Sequence, residues 1–332
     1  MSAKRVAEHK DSRIIGLLEI SWKVGKNMPV KVQGDLPAKA VIENENIFIM
    51  DESRAISQDI RPLKIGVLNL MPVKHDTEIQ LLRAMSNTPL QVDVTFVCVE
   101  NHISKNTPMS HLNKFYSKFP EIKDQKFDGF IITGAPVEQM PFEDVNYWEE
   151  ISEVFNWAHT HVTSTLYICW AAQAGLYHFY GVPKYPLDKK MFGVFKHQIN
   201  VQGLPIFRGF DDEFFVPHSR HTEIRREDIL KVKDLTLLSE SEDSGVYMVM
   251  ARNGREFFIT GHSEYAPNTL DGEYRRDLSK GLPIEMPVNY YRNDNPDDGV
   301  LVRWRGHANL MFSNWLNYYV YQETPFDINQ IK

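Results

Sequence analysis

The sequence predicts an α/β fold centred on a parallel sheet, and three stretches carry that prediction. Leu63–Leu70, Phe127–Thr133 and Ser164–Ile168 are apolar runs of strand length. Each is followed by a turn signal or a helical pattern, and strands that alternate with helices form a parallel sheet covered on both faces. In such sheets ligands bind beyond the carboxyl ends of the strands.

The elements follow in order. Residues 1–35 read as an N-terminal extension with one short helix around Ile14–Val24, and residues 36–332 as the main domain. The first strand, Leu63–Leu70, stops at Met71-Pro72, and Thr77 is placed to cap a helix through Leu81-Leu82. Val92–Val99 is β-branched and strand-like. Phe127–Thr133 is closed by Gly134-Ala135-Pro136. Val145–His161 has helical periodicity, Ser164–Ile168 is a buried strand, and Ala171–Tyr180 is a helix. Glu256–Gly261 is a strand that delivers His262. His307–Tyr321 is a last, aromatic-rich helix whose rings serve core and lid packing.

Composition narrows the function. With 332 residues and 42% apolar residues the chain is long enough to bury a sizeable core. A net charge of −7 excludes nonspecific nucleic-acid binding, which needs a basic surface. Two cysteines, Cys98 and Cys169, make neither a disulfide framework nor a Cys-rich zinc site, and point to a reducing compartment. No apolar run reaches membrane-span length and no signal peptide is visible, so the expected location is the cytoplasm. Neither a P-loop nor a Gly-rich dinucleotide fingerprint is present. Pro217-His218-Ser219-Arg220-His221 pairs two histidines but brings no carboxylate set for zinc, so no metal is expected. His159, His161 and His178 read as surface or packing residues.

The most informative stretch is Ile168-Cys169-Trp170-Ala171-Ala172-Gln173-Ala174-Gly175. A thiol sits where an apolar strand turns into a helix of small residues, the layout of a nucleophile elbow. Small residues let the helix pack closely on the strand. The free N–H groups and positive dipole end of the helix favour the thiolate, the form that attacks. The N–H of Trp170 is placed to hold an oxyanion. Cys98, inside an apolar strand, reads as a packing residue. Gly261-His262-Ser263-Glu264 adds a base with a carboxylate two residues on, on the same side of an extended chain. By role, Cys169, His262 and Glu264 form a triad.

These residues and several longer motifs resemble the homoserine O-acyltransferase family of methionine biosynthesis. The motifs are Asp59-Ile60-Arg61-Pro62-Leu63, Asn69-Leu70-Met71-Pro72, Thr133-Gly134-Ala135-Pro136, Val162–Leu166, Pro217-His218-Ser219-Arg220 and Asn314–Tyr321, within a resemblance from about Leu36 to Asp327. The resemblance implies a fold like the class I glutamine amidotransferases. It also implies an acyl-enzyme thioester on Cys169, His262 as general base and Glu264 as its partner. By the same resemblance Lys190, Ser219 and Arg276 bind the amino-acid acceptor, and Lys74 supports the site. Many members carry a second lysine just before Lys74, where this chain has Val73. Glu138 stands at the position that separates donors and resembles the acetyl-using members.

The expected activity is therefore transfer of an acetyl group from acetyl-CoA, a co-substrate, to the hydroxyl of L-homoserine, with no resident cofactor. Ping-pong kinetics follow from a covalent intermediate, and Lys190 and Arg276 suit an α-carboxylate by charge. The expected partners are small-molecule substrates, with a homodimer as the assembly considered. Serine O-acetyltransferase and homoserine O-succinyltransferase are alternatives on the same scaffold. An amidotransferase-like hydrolase is a different class: Cys169 and Gln173 have its spacing. Against it, the glycines usual two before and two after the nucleophile are Tyr167 and Ala171.

Overall fold

The computed structural model describes residues 30–44, 49–50, 61–100, 106–325 and 327–331. The sheet is built around segments that are apolar at nearly every position. In β3 (Leu63–Leu68) only Lys64 is exposed, and β6 (Phe127–Ile132) and β7 (Val162–Ile168) are buried throughout. A strand buried on both faces has no polar face to show, which is why these runs lack alternation. With β1 (Val30–Lys31), β2 (Ile49–Met50), β4 (Val92–Cys98) and β12 (Glu256–Ile259) they form parallel neighbours in the order β2-β1-β4-β3-β6-β7-β12, and the short β5 (Tyr116–Lys118) pairs with β4 off this path. The register runs Ile65↔Gly129, Ile131↔Leu166 and Ile168↔Ile259. All of these carboxyl ends therefore open on one edge.

Helices cover both faces. Leu81, Leu82 and Met85 of the Lys74–Met85 helix pack on one face with Phe312, Trp315 and Val320 of the last helix. The Trp148–His161 and Trp170–Tyr180 helices pack on the other. The last helix is α-helical over Arg305–Asn314 and π-helical over Trp315–Tyr321. Its Trp315 indole N–H donates to Ser164 Oγ (2.9 Å) on β7, pinning the helix under the sheet. The aromatics of this segment divide as a core helix requires: Phe312, Trp315 and Tyr319 are buried, Tyr321 is exposed.

Beyond β12 the sheet continues antiparallel through β11 (Gly245–Ala251), β10 (Leu235–Ser241), β8 (Tyr185–Ile199) and β9 (Glu213–Glu223). This half is absent from the sequence reading. β8, β9 and β10 mix buried and exposed positions and carry charges, so no continuous apolar run marks them; β11 is apolar throughout and was passed over.

Local expectations also shift. The helix after β3 begins at Lys74 with Val73 at its N-cap and no side-chain cap. Thr77 does not cap it; its Oγ1 lies 3.5 Å from the Val73 carbonyl one turn back. The helix expected from Val145 begins at Trp148. Val30–Lys31, inside the segment assigned to the extension, pairs with β4. The helix expected at Ile14–Val24 lies outside the described residues.

Candidate active site

The site assembles where β7 meets its helix. Cys169 has φ 55° and ψ −114°, a left-handed backbone that costs a non-glycine residue of order 1–3 kcal/mol. Its N–H donates to the Ile259 carbonyl (2.7 Å), continuing the β7–β12 pairing, and its carbonyl accepts from Gln173 N–H (3.2 Å). The strain thus sits between a strand and a helix that are both fixed. The helix can lie this close because its inner residues are small. A Cβ on Gly175 would stand 2.8 Å from the Phe258 ring. Gly134, at the end of β6, faces the nucleophile: a Cβ there would be 3.1 Å from Cys169 Cβ and 3.6 Å from Sγ. Trp170 is fully buried and occupies the first helical position. Its backbone N–H belongs to the turn whose donors have no partner within the helix.

His262 comes from the loop after β12. Its N–H donates to the Pro217 carbonyl (2.8 Å), and its ring stacks on Tyr265 with centroids 4.0 Å apart. Nδ1 meets Glu264 Oε1 at 2.7 Å, which leaves Nε2 for the hydrogen bond with Cys169. Burial alone drives the pKa of the imidazole down. The Cys169 sulfur and the Glu264 carboxylate outweigh it and hold the pKa well above the ordinary histidine value. The carboxylate arrives by a different route from the one expected. Ser263 and Glu264 lie in a turn closed by Tyr265 N–H to the His262 carbonyl (3.3 Å), not on an extended strand. Chain reversal brings Glu264 back to the ring, while Ser263 Oγ turns inward to the Tyr247 hydroxyl (2.8 Å).

Cys169 and His262 open on a cavity of about 450 Å³ that Glu138, Lys190, Ser219 and Arg276 also line. Glu138 is held by its backbone: Lys184 Nζ donates to the Glu138 and Met140 carbonyls, both at 2.5 Å. Its carboxylate accepts from the His221 N–H, and Oε2 is buried with no hydrogen-bond partner. Burial raises its pKa; the His221 N–H and the cationic Arg220, His262 and Lys190 oppose the rise. Lys190 Nζ and Ser219 Oγ both donate to Glu273 Oε2, at 3.1 and 2.6 Å. Arg276 Nε donates to Asp277 Oδ1 (2.7 Å) with its guanidinium half in solvent.

Lys74 does not join this group. It is buried beneath the end of β3 with its ammonium on the Asn69 carbonyl, and it does not line the cavity. Burial lowers its pKa to about 8, against the opposing pull of Cys98 and Glu78. Cys98, half-buried at the end of β4, is its neighbour. Val73 is 42% exposed and does not line this cavity.

Two residues of the site escaped the sequence reading. Glu273 sits on the Thr269–Ser279 helix among other carboxylates and looks like a surface residue. Arg220 lies within a motif but carried no assigned role. It is 1% exposed, with its N–H groups on the carbonyls of Thr222 (2.7 Å) and Ser244 and on His218 Nδ1 (3.4 Å). Thr222 in turn bonds Gln173 of the elbow helix (2.7 Å). A buried guanidinium on carbonyls keeps its charge, and that charge acts on both Cys169 and Glu138.

Comparison with known proteins shows the family and relates the fold. Homoserine O-acetyltransferase of Phocaeicola vulgatus is 72% identical over 305 residues, 92% of this chain and 100% of that protein. Proteins of the same name from Bacteroides fragilis and Acetivibrio thermocellus are 68% and 60% identical, again over 92% of this chain and 100% of theirs. A glutamine amidotransferase from Thermotoga maritima superposes with a TM-score of 0.50 at 11% identity, covering 77% of this chain and 98% of that one, which relates the folds. The family model for homoserine O-succinyltransferase matches residues 29–326, and the chain belongs to that family.

Proposed function

We propose that the chain is a homoserine O-acetyltransferase that carries the acetyl group on Cys169. What carries the reading is the hydrogen-bonded series Cys169–His262–Glu264 opening on a cavity whose wall holds Glu138. The names of the relatives support the acetyl donor and the homoserine acceptor.

The steps follow from the contacts. The Cys169 thiolate attacks the thioester carbonyl of acetyl-CoA, and the helix N-terminus at Trp170 faces the developing oxyanion. The coenzyme A thiolate leaves and takes the proton from His262. One thioester replaces another, so the step is near balance. The homoserine hydroxyl then attacks the acetyl-enzyme, giving its proton to neutral His262, and Cys169 leaves as thiolate. Proton and thiolate are both restored, which makes the scheme ping-pong. Glu264 holds the ring and stabilises the imidazolium. Lys190, Ser219 and Arg276 anchor the amino-acid end of homoserine, and Glu273 offers a carboxylate to its ammonium.

Glu138 sets the donor. A succinyl group on Cys169 would direct its carboxylate at that wall. Two like charges about 5 Å apart cost roughly 3 kcal/mol at an effective dielectric near 20, on the order of a hundredfold. The test is acetyl-CoA and succinyl-CoA, each against L-homoserine and L-serine, with the intact protein weighed after mixing with donor alone. An acetyl adduct on Cys169 and the highest kcat/KM for acetyl-CoA with homoserine are expected. A higher value for serine, or no adduct, overturns the reading.

A further inference from the structure

A second cavity, of about 500 Å³, adjoins the first and shares Met71, Pro72, Tyr265, Glu273 and Arg276 with it. Its two long walls are helices. Val73, Asp76, Gln80 and Arg83 line one wall. They follow one another at three- and four-residue spacing, so they share a face of the Lys74–Met85 helix. From the first to the last is about 15 Å along the axis. Thr269, Gly272 and Arg276 line the other wall, on the Thr269–Ser279 helix. The space is therefore a groove that starts at the nucleophile's cavity and runs outward between two helices. Gln80 Nε2 donates to Thr269 Oγ1 across it (2.9 Å).

The acceptor has no use for this groove. A four-carbon amino acid is small beside the first cavity, and its charged ends find Lys190, Arg276 and Glu273 there. The donor has a different shape. Its acyl carbon must reach Cys169, and behind it trails a long, narrow arm with two amides, a hydroxyl and a branched alkyl segment, ending in a diphosphate. The groove offers apolar, hydrogen-bonding and cationic groups to such an arm, the cation farthest from the nucleophile. Exposed Val73 gives an apolar wall, the bonded Gln80–Thr269 pair leaves an amide carbonyl and a hydroxyl hydrogen for a ligand, and Arg83 puts a cation towards the outer end.

We propose that this groove is the binding site for the pantetheine arm of the acyl-coenzyme A donor. The inference rests on the reading of the chain as an acetyl-CoA-dependent transferase and adds where the donor lies. It separates the substrates spatially: the acceptor enters the first cavity after the arm has left through the groove, and only the acetyl group held on Cys169 passes between them.

Gly272 provides the test, because a Cβ there meets nothing within 4 Å and a bulky residue projects into open space. Replacing a helical glycine also favours the helix. Gly272→Phe and, from the opposite wall, Val73→Trp are compared with wild type using acetyl-CoA and the short thioester S-acetyl-N-acetylcysteamine. The ratio of kcat/KM for the short donor to that for acetyl-CoA is expected to rise at least tenfold in either variant, with KM for homoserine unchanged. Calorimetry of coenzyme A binding to Cys169→Ala, with and without Gly272→Phe, reads the groove independently of turnover, and at least tenfold weaker binding is expected. An unchanged ratio in both variants, or coenzyme A affinity indifferent to Gly272→Phe, overturns the proposal. Tight coenzyme A binding without transfer to homoserine overturns the acceptor reading and leaves the groove standing.

Discussion

The Nδ1 atom of His262 and the Oε1 atom of Glu264 lie 2.7 Å apart across a tight turn, so the base and its partner move as one unit. Replacing His262 with Ala is expected to lower kcat/KM for transfer by at least about 10²-fold, the lower range for general acid–base catalysis. Glu264→Gln keeps the contact and removes the charge. Because the carboxylate helps hold the pKa of His262 well above its ordinary value, losing it lowers that pKa. The imidazolium then deprotonates at lower pH, and the alkaline limb of the pH–rate profile moves down. A Glu264→Gln profile superimposable on wild type contradicts this coupling.

The strained backbone at Cys169 predicts an inverted order of stabilities. Cys169→Ala and Cys169→Gly should both abolish acyl transfer. Alanine keeps the steric cost of φ 55°, which glycine does not incur. The glycine variant should therefore be the more stable of the two by about 1 kcal/mol, opposite to the usual ranking of these residues at a helix. Urea denaturation midpoints at equal m-values decide it, and an alanine variant of higher midpoint refutes the strain.

Donor choice should depend on pH through Glu138. Burial raises its pKa, so protonation begins at higher pH than for an ordinary glutamate. As pH falls through that pKa the carboxylate loses its charge, and with it the repulsion of a succinyl carboxylate. The succinyl-to-acetyl ratio of kcat/KM should rise as pH is lowered in wild type. It should be high and flat in Glu138→Gln, and Glu138→Gly should relax the choice as well. A wild-type ratio independent of pH removes Glu138 as the cause.

Lys74 makes a prediction about stability alone. Its folded pKa of about 8 lies below its unfolded value of 10.5, so between these values the unfolded chain binds more protons. Stability from this group rises with pH across that window and is lowest below pH 8. Buried charge at Lys74 costs on the order of 3 kcal/mol at neutral pH by the size of the shift. Lys74→Met should be more stable than wild type at pH 7, and the difference should shrink towards pH 10. Parallel stability curves for the two proteins would show that Lys74 is not the titrating group.

Much of this was legible in the residues. β3, β6 and β7 are buried on both faces, and their unbroken apolar runs say so. The elbow is equally plain, because a thiol followed by Ala171, Ala172, Ala174 and Gly175 leaves few other reasons for so many small residues. The β8–β10 part was not, since a ribbon with Lys189 and Lys196 facing solvent has no single hydrophobic period, and the apolar run of β11 was passed over. Glu273 and Arg220 were hidden for opposite reasons. Glu273 has the neighbours of a surface carboxylate and acquires its partners Lys190 and Ser219 only from a distant ribbon. Arg220 is a charge in a strand, where sequence alone predicts exposure, and only the carbonyls of Thr222 and Ser244 make its burial tolerable. The contact of His262 with Glu264 was expected from strand alternation and is made by a turn, which reaches the same two atoms by other dihedrals.

The Ile168↔Ile259 pairing, with Cys169 N–H on the Ile259 carbonyl, has a consequence for biosynthesis. Nucleophile and base are aligned by the register of two adjacent strands, and a slip of one residue would displace His262 by about 3.3 Å and reverse its face. The ribosome delivers β7 long before β12, so the half-made chain holds a thiol without its base. Chemical competence then arrives in one step, when β12 docks beside β7, and a chain released before that strand emerges is inert towards acyl donors.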